Sequence, residues 1–438
     1  MSEPVDKGRA AITAAPVDLL VTRVGELFER EYGITDTDLL QVDYRLAALL
    51  PLGGGDAVTT PGHPAWRCFD HQSPTHADGI GYLPVSMRGE RRGVLRVTPV
   101  TEARLAELAE VATALAHELA AVDAGTDVYR VARRSRRLTL AAEVQWELLP
   151  GRSRLRPSFS LAGQLEPAYA VRGDSFDWSD DGERVWLATI NGMGEGVAAS
   201  MLTTLATCAL RNARRAGIPL ADQAALADQA IYDLHRGEQY LATLLLELDL
   251  RTGRLTAVDA GSPRLVLLRD GEVSIQPLEE QFPLGMFEGT NYREQFVQLQ
   301  RGDRLFMISD GVIEAAGSAE QYGQTALDRM LRRTAPMAAL DAVRSLLGDL
   351  RAFVAGDLTD DAVVVCLDWL GPQPRDLPAG SVRAAAVHHR ADGLPQDRQV
   401  GGERPVLHVV EVEPDAVLPA QIGAAADLPE PGHPRLDQ

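Results

Sequence analysis

Cysteine is scarce: Cys68, Cys208 and Cys366 are the only three in 438 residues. They lie far apart and share no pairing or ligand spacing, which argues against a disulfide framework or a zinc knuckle and fits a reducing compartment. No apolar run reaches the ~18 residues that a membrane span needs. Residues 1–13 also lack the apolar core of a signal peptide, so the chain reads as cytoplasmic, with no membrane partner. Positive charge is short as well: 43 basic against 62 acidic residues leave a formal net charge of -19. That balance sets aside nucleic acid as a partner. Lysine is all but missing, Lys7 being the only one, and alanine is abundant, a bias that reflects a GC-rich genome rather than a function. What remains, 45% apolar and 24% charged, is ordinary for globular domains, and the length allows two or three of them.

Residues 18–32 carry Leu20, Val24, Leu27 and Phe28 at helical spacing. Residues 39–50 read as strand material. Residues 80–87 and 93–97 read as two strands of a hairpin across Arg88-Gly89-Glu90. A helix over 101–122 follows, with Leu105, Leu108, Ala112, Leu115 and Leu119 on one stripe. This order, with the segments Pro61-Gly-His-Pro-Ala-Trp-Arg-Cys-Phe69 and Leu83–Leu95, resembles a GAF-type sensory domain spanning residues 1–122. His63, Cys68, His71 and His76 show no characteristic ligand spacing, and Trp66 and Phe69 read as core. Residues 127–149 are expected to form one helix, basic at first and then amphipathic through Leu138, Ala141, Val144, Gln145 and Leu148, ended by Pro150-Gly151. The 123–150 linker reads equally as a solvated connector or as a lever through which the chain forms a homodimer. Residues 151–370 alternate strands with grouped helices, the pattern of an α+β domain. After 371 the chain turns Pro-rich and acidic and is expected to be a disordered tail; the apolar patch at 406–412 reads as a docking strand or as nothing.

Four segments place acids or amides beside glycine, or beside another acid, at strand ends. They are Arg172-Gly-Asp174-Ser-Phe-Asp177, Asn191-Gly192-Met-Gly-Glu-Gly196, Asp310-Gly311 and Asp360-Asp361. Singly, Asp-Gly and Asn-Gly are turn pairs and Asp-Asp a solvated pair. Together they suggest more. Carboxylates beside apolar strands are costly unless a hard cation neutralises them. Magnesium and manganese take oxygen ligands, and a pair of such ions can generate a nucleophilic water and clamp a phosphoryl group.

The order of these segments resembles the SpoIIE/RsbU branch of the metal-dependent (PPM) serine/threonine phosphatases. The family's helix ending in Leu-Leu-Pro is matched by Ala142–Pro150, and its Gly-Gly-Asp-Phe-Tyr-Asp by Arg172–Asp177. Its Asp-x-x-Gly-His-Gly, Gly-His-Pro and Pro-Leu-Gly are matched by Asn191–Gly196, Gly261-Ser262-Pro263 and Pro283-Leu-Gly285. Asp310-Gly-Val-Ile-Glu-Ala315 and Asp360-Asp361 complete the series. The resemblance implies an α/β (α+β) chain with a PPM-type β-sandwich flanked by helices over residues 151–370. It implies hydrolysis of phosphoserine or phosphothreonine, with a phosphorylated STAS-type anti-anti-sigma protein as substrate in a partner-switching pathway. It carries catalytic roles to Asp174, Asn191, Asp310 and Asp360. It carries Mn2+ or Mg2+ ligation to Asp174, Asn191, Gly192 (through its carbonyl), Asp310, Asp360 and Asp361. The helix ending at Pro150 takes the place of the family's switch element.

Four positions depart from the pattern. Asn191 stands where the family has the aspartate that bridges two ions. An amide offers one oxygen, no charge, and a nitrogen that repels a cation. The second ion is therefore placed in doubt, while one ion retains Asp174, Asp310 and Asp360. Glu195, Arg172 and Ser262 replace family residues outside the ligand set. The sequence thus supports a weakened phosphatase, a non-hydrolysing pseudophosphatase that binds a partner, or a protein whose sensory half carries the main function.

Overall fold

The computed structural model describes residues 3–372 except 168, 262, 318–320, 355–357 and 359. Ser262, the tail beyond 372 and the patch at 406–412 lie outside the described residues.

The first half contains α1 (Glu3–Thr13), α2 (Leu20–Tyr32), β1 (Asp36–Val42), β2 (Leu49–Pro51), α3 (Pro64–His71), β3 (Thr75–Ala77), β4 (Ile80–Met87), β5 (Glu90–Thr98) and α4 (Leu105–Val122). The strands form one antiparallel sheet in the order β2-β1-β5-β4-β3. All four apolar positions that announce α2 are buried, and Gly33 ends it in the left-handed conformation at φ 69°. The β4–β5 turn is Arg88-Gly89, both with positive φ, which suits the right-handed twist of a hairpin. The single strand expected over 39–50 is in fact β1, a turn and β2. Asp43 Oδ1 accepts from the backbone N–H of Ala47 and Ala48 at 2.8 and 3.1 Å, and that closes the turn. Helix α3 starts where His63 Nδ1 accepts from Ala65 N at 3.1 Å, with Pro64 as its first residue.

The linker differs from the expected single helix. It divides into α5 (Val128–Ala132) and α6 (Leu140–Leu148). The basic residues between them spend their donors on tertiary partners: Arg133 Nε on Val42 O at 3.4 Å and Arg134 on Glu143 at 2.6 Å. Ser135 N donates to the Tyr169 hydroxyl, and Thr139 Oγ1 restarts the helix by accepting from Ala142 N at 3.2 Å.

The second half contains β6 (Ser153–Leu155), β7 (Phe159–Glu166), β8 (Ser175–Asp180), β9 (Arg184–Gly192), α7 (Gly196–Arg215), α8 (Leu220–His235), β10 (Leu241–Asp249), β11 (Arg254–Ala260), β12 (Arg264–Arg269), β13 (Glu272–Ile275), β14 (Gln295–Gln298), β15 (Arg304–Ile308), α9 (Asp310–Ile313), α10 (Gly323–Arg333), α11 (Ala339–Val354) and β16 (Ala362–Trp369). Two antiparallel sheets result, β14-β11-β10-β9-β8 and β13-β12-β15-β16-β7-β6. Side-chain alternation sorts their faces. Leu244, Leu246 and Leu248 of β10 share an apolar cluster with Leu305 and Met307 of β15 and Val363 and Val365 of β16. Leu245 instead packs with α7 and α8 through Leu202, Leu210 and Ile231. Phe306 and Val364 pack with α11 through Val343, Leu346 and Leu347, in a cluster that also takes in Val42, Trp66 and Phe69 of the first half.

The two halves therefore share core, and charged contacts reinforce the seam. Glu166, fully buried, accepts from Arg45 at 3.2 Å and from Arg351 at 2.7 Å. The Arg344 guanidinium lies 4.5 Å from the Trp66 ring centroid. Among the described residues no helix is long and apolar enough to cross a membrane.

Candidate functional site: a carboxylate cluster at three strand ends

The strand pairings bring the four segments together. Asp174 precedes β8, Asn191-Gly192 ends β9, Asp310 follows β15, and Asp360-Asp361 precedes β16. β8 pairs with β9 (Ser175 opposite Ile190), and β15 pairs with β16 (Ile308 opposite Val364). The two pairs belong to different sheets, and Asp361 joins them. Its Oδ2 accepts from three consecutive backbone N–H groups, Arg172 at 2.6 Å, Gly173 at 2.8 Å and Asp174 at 3.1 Å. Ser309 fastens β15 to β16 within one sheet, since its hydroxyl accepts from Val363 N at 2.9 Å and donates to Asp361 O at 3.4 Å.

Burial and like charge dominate the electrostatics. Asp174 and Asp361 are 3% and 1% exposed, and Oδ2 of the first and Oδ1 of the second have no hydrogen-bond partner. Burial, then the charges of Asp361 and Asp310, hold the Asp174 carboxyl well above the usual carboxylate range. Burial pushes Asp361 up to about 6, opposed by its three backbone donors. Asp310 and Asp360 are exposed. Asn191 Nδ2 donates to Asp310 Oδ1 at 2.7 Å, and Gly311 N donates to the same oxygen at 2.9 Å. Asp360 Oδ1 accepts from Asp361 N at 2.8 Å.

Glycine is needed at the closest backbone approaches. A Cβ on Gly173 would lie 2.6 Å from Gly192 O, and one on Gly311 would overlap the Asp361 carbonyl. Gly192 is thus held face to face with Gly173, whose carbonyl accepts from Thr203 Oγ1 of α7 at 2.6 Å. Gly311→Ala is expected to cost about 1–3 kcal/mol through overpacking. Urea denaturation measures this, and an unchanged midpoint would show that the close approach is not real.

These residues suit a hard divalent cation in donor chemistry: oxygen donors only, clustered negative charge, and two buried carboxylate oxygens left unpartnered. The cluster is open rather than a finished cage, because among the described residues no three His, Cys, Asp or Glu side chains converge as a metal site. Asn191 directs its NH2, not a second carboxylate, at Asp310.

Of the sequence-derived candidates, Asp174, Asp310, Asp360 and Asp361 act on one another electrostatically, Asn191 binds Asp310, and Gly192 abuts Gly173. Arg172 and Glu195 form a 3.6 Å ion pair at the exposed rim. Asp177, within the same motif as Asp174, turns away to Arg211 at 2.7 Å and Arg214 at 3.1 Å. Arg211 also donates to Leu148 O at 2.7 Å, fastening the end of α6 to α7. Ser309, Thr203 and Arg211 were not singled out from sequence. Ser309 alone carried a signal there, as the residue between β15 and Asp310.

Residues 181–370 match the family described as Stage II sporulation protein E (SpoIIE). This stretch, under half of the chain, is similar to that family. The matched range begins after Asp174, so α6, the Arg172–Asp174 loop and β8 precede it. Phosphoserine phosphatase RsbU of Bacillus subtilis (strain 168) is 19% identical over 231 residues, 52% of this chain and 69% of the relative. Stage II sporulation protein E of the same organism is 26% identical over 235 residues, 52% of this chain and 28% of the relative. Among solved structures, the RsbU and RsbW domains of a Mycobacterium tuberculosis protein align at TM-score 0.44 and 21% identity, covering 52% of this chain and 64% of that one. The chain thus spans less than two thirds of that structure and under a third of the sporulation protein. Of the two relatives, RsbU is a phosphoserine phosphatase by name.

Proposed function

We propose that the SpoIIE-type domain hydrolyses phosphoserine or phosphothreonine on a protein, with a STAS-type anti-anti-sigma protein as substrate in a partner-switching pathway. The observation that carries this reading is the pair of buried, unpartnered carboxylate oxygens on Asp174 and Asp361 amid like charges. Asp174, Asp310 and Asp360 would hold one Mn2+ or Mg2+, with the Gly192 carbonyl beside them. Such an ion, when bound, supplies a Lewis acid for the phosphoryl group and a water of lowered pKa. Asp361 serves as the clamp that fixes the Arg172–Asp174 backbone, and so aims Asp174. Asn191 orients Asp310 through its amide and leaves a bridging second ion without its carboxylate. The two sheets of residues 151–370 are read as a PPM-type sandwich, residues 1–122 as a GAF-like sensory domain and 123–150 as the linker. The five-stranded sheet with helices packed on it supports the sensory reading.

A second reading, a pseudophosphatase that binds its partner without turnover, is favoured by one contact. The Asn191 amide already occupies an Asp310 oxygen that a cation would need. Release of phosphate from a phosphoserine peptide with added Mn2+ decides between them. The phosphatase reading expects turnover in the wild type that disappears in Asp310→Asn; a wild type as inactive as that variant sinks it. Asn-Gly sequences deamidate, so the mass of the preparation must show Asn191 intact.

A further inference from the structure

A cleft of about 240 Å³ opens where the first-half sheet, the linker and α6 meet. Tyr44 and Trp146 form its aromatic wall, with ring centroids 5.0 Å apart. Two guanidinium groups lie on the Tyr44 ring, Arg133 at 5.2 Å and Arg152 at 5.7 Å, and Arg152 also lies 5.2 Å from Trp146.

The charges around this cleft are unequally matched. Asp123 is paired with Arg92 at 2.7 Å, Glu143 with Arg134 at 2.6 Å, and Glu147 with Arg130. Glu90 accepts from Ser153 N at 2.8 Å. Each carboxylate on the lining thus has its own donor. Among the described residues, Arg133 and Arg152 pair with no carboxylate: Arg133 Nε donates to Val42 O at 3.4 Å and Arg152 Nη1 to Asp43 O at 2.8 Å. Arg152 is only 4% exposed and its Nη2 has no partner. Burial, then the Arg133 charge, depresses its pKa to about 10, with Glu90 and Asp43 acting the other way. Two arginines without a directly paired carboxylate, sharing one ring and one of them buried, would be stabilised by an anion that joins them.

We propose that this cleft binds a small organic anion, its carboxylate or phosphate held by Arg133 and Arg152 and its body laid against Tyr44 and Trp146. The forked donor sets of arginine suit such groups. The cleft volume limits the occupant to a small metabolite. Trp146 lies on α6, and Leu148 at the end of that helix is fastened to Arg211 of α7, so the occupant touches a helix tied to α7. This site is independent of whether the SpoIIE-type domain turns over.

Benzoate, a planar carboxylate that is not a phosphatase substrate or product, is the probe. Thermal shift and intrinsic fluorescence of the full chain are expected to show saturable binding. Arg133→Gln should weaken it by about tenfold, the loss of a charge-assisted pair, while Asp310→Asn leaves it unchanged. Arg133→Lys keeps the charge without the fork and should lose about threefold; it carries the test if the glutamine variant does not fold. No saturable response in the wild type, equal binding in the wild type and the Arg133 variants, or loss of binding in Asp310→Asn would each overturn the proposal.

Discussion

Asn191→Asp is expected to raise Mn2+-dependent turnover of a phosphoserine peptide by at least about tenfold, a difference of ~1.4 kcal/mol in transition-state stabilisation. The wild-type amide donates to Asp310 at 2.7 Å and contributes no charge. An aspartate there can help to hold a second ion and would remove the amide donor from Asp310 Oδ1, leaving it the Gly311 N–H. The same change works against the metal-free protein. It removes a hydrogen bond and adds a fifth carboxylate beside Asp174, whose carboxyl burial and neighbouring charge already hold well above the usual carboxylate range. Metal-free Asn191→Asp should therefore be less stable than wild type, and added Mn2+ should reverse the order. A steady-state assay with a parallel thermal melt reads both. Equal turnover in the two proteins would mean that residue 191 takes no part in the site.

Glu166→Ala is expected to cost about 3–5 kcal/mol, the usual result of breaking a buried ion pair by removing one member. Glu166 is fully buried, and its loss strands two arginines, Arg45 of the first half and Arg351 of α11. Burial raises the Glu166 carboxyl despite both arginines, so the pair's net contribution is smaller than its breakage cost. An exposed pair such as Arg293–Glu279, 2.7 Å apart, gives the contrast: Glu279→Ala should change stability by less than about 1 kcal/mol. Because the halves share a core as well as this contact, Glu166→Ala should shift one cooperative urea transition rather than split it. A loss under about 1 kcal/mol would show that Glu166 does not hold the seam.

Much of the architecture was legible because its periodicities are strong. The stripe Leu105, Leu108, Ala112, Leu115, Leu119 locates α4, and the run over 80–87 matches β4 residue for residue. Elements with little periodic signal were missed. Helix α1 shows only Val5 and Ile12 in the core, and its close packing rests on Gly8, whose absent side chain admits Val111. Helix α3 begins with a proline and a histidine cap, features that also suit a loop. The linker read as one helix because nothing local breaks it. The break comes from distant partners, Val42 and Tyr169, that attract Arg133 and Ser135.

The site divides along the same line. Acids beside glycines at strand ends marked Asp174, Asp310, Asp360 and Asp361 as candidates, since such residues are costly there without a purpose. Their division of labour was not legible. Asp361, the second acid of its pair, turns inward onto three backbone donors, while Asp360 stays exposed. That outcome depends on the β16 register against β15 and on the approach of the Arg172–Asp174 loop, both long-range. Likewise Asp177 looked like part of the acidic motif, and only the packing of α7 against β8 reveals its partner as Arg211.

Isothermal titration of the metal-free chain with Mn2+ tests the central claim, that the carboxylates beside β8, β15 and β16 form a divalent-cation site. Saturable binding to the wild type that is abolished in Asp310→Asn is the predicted result. No binding to the wild type, or the same isotherm in both proteins, would contradict it.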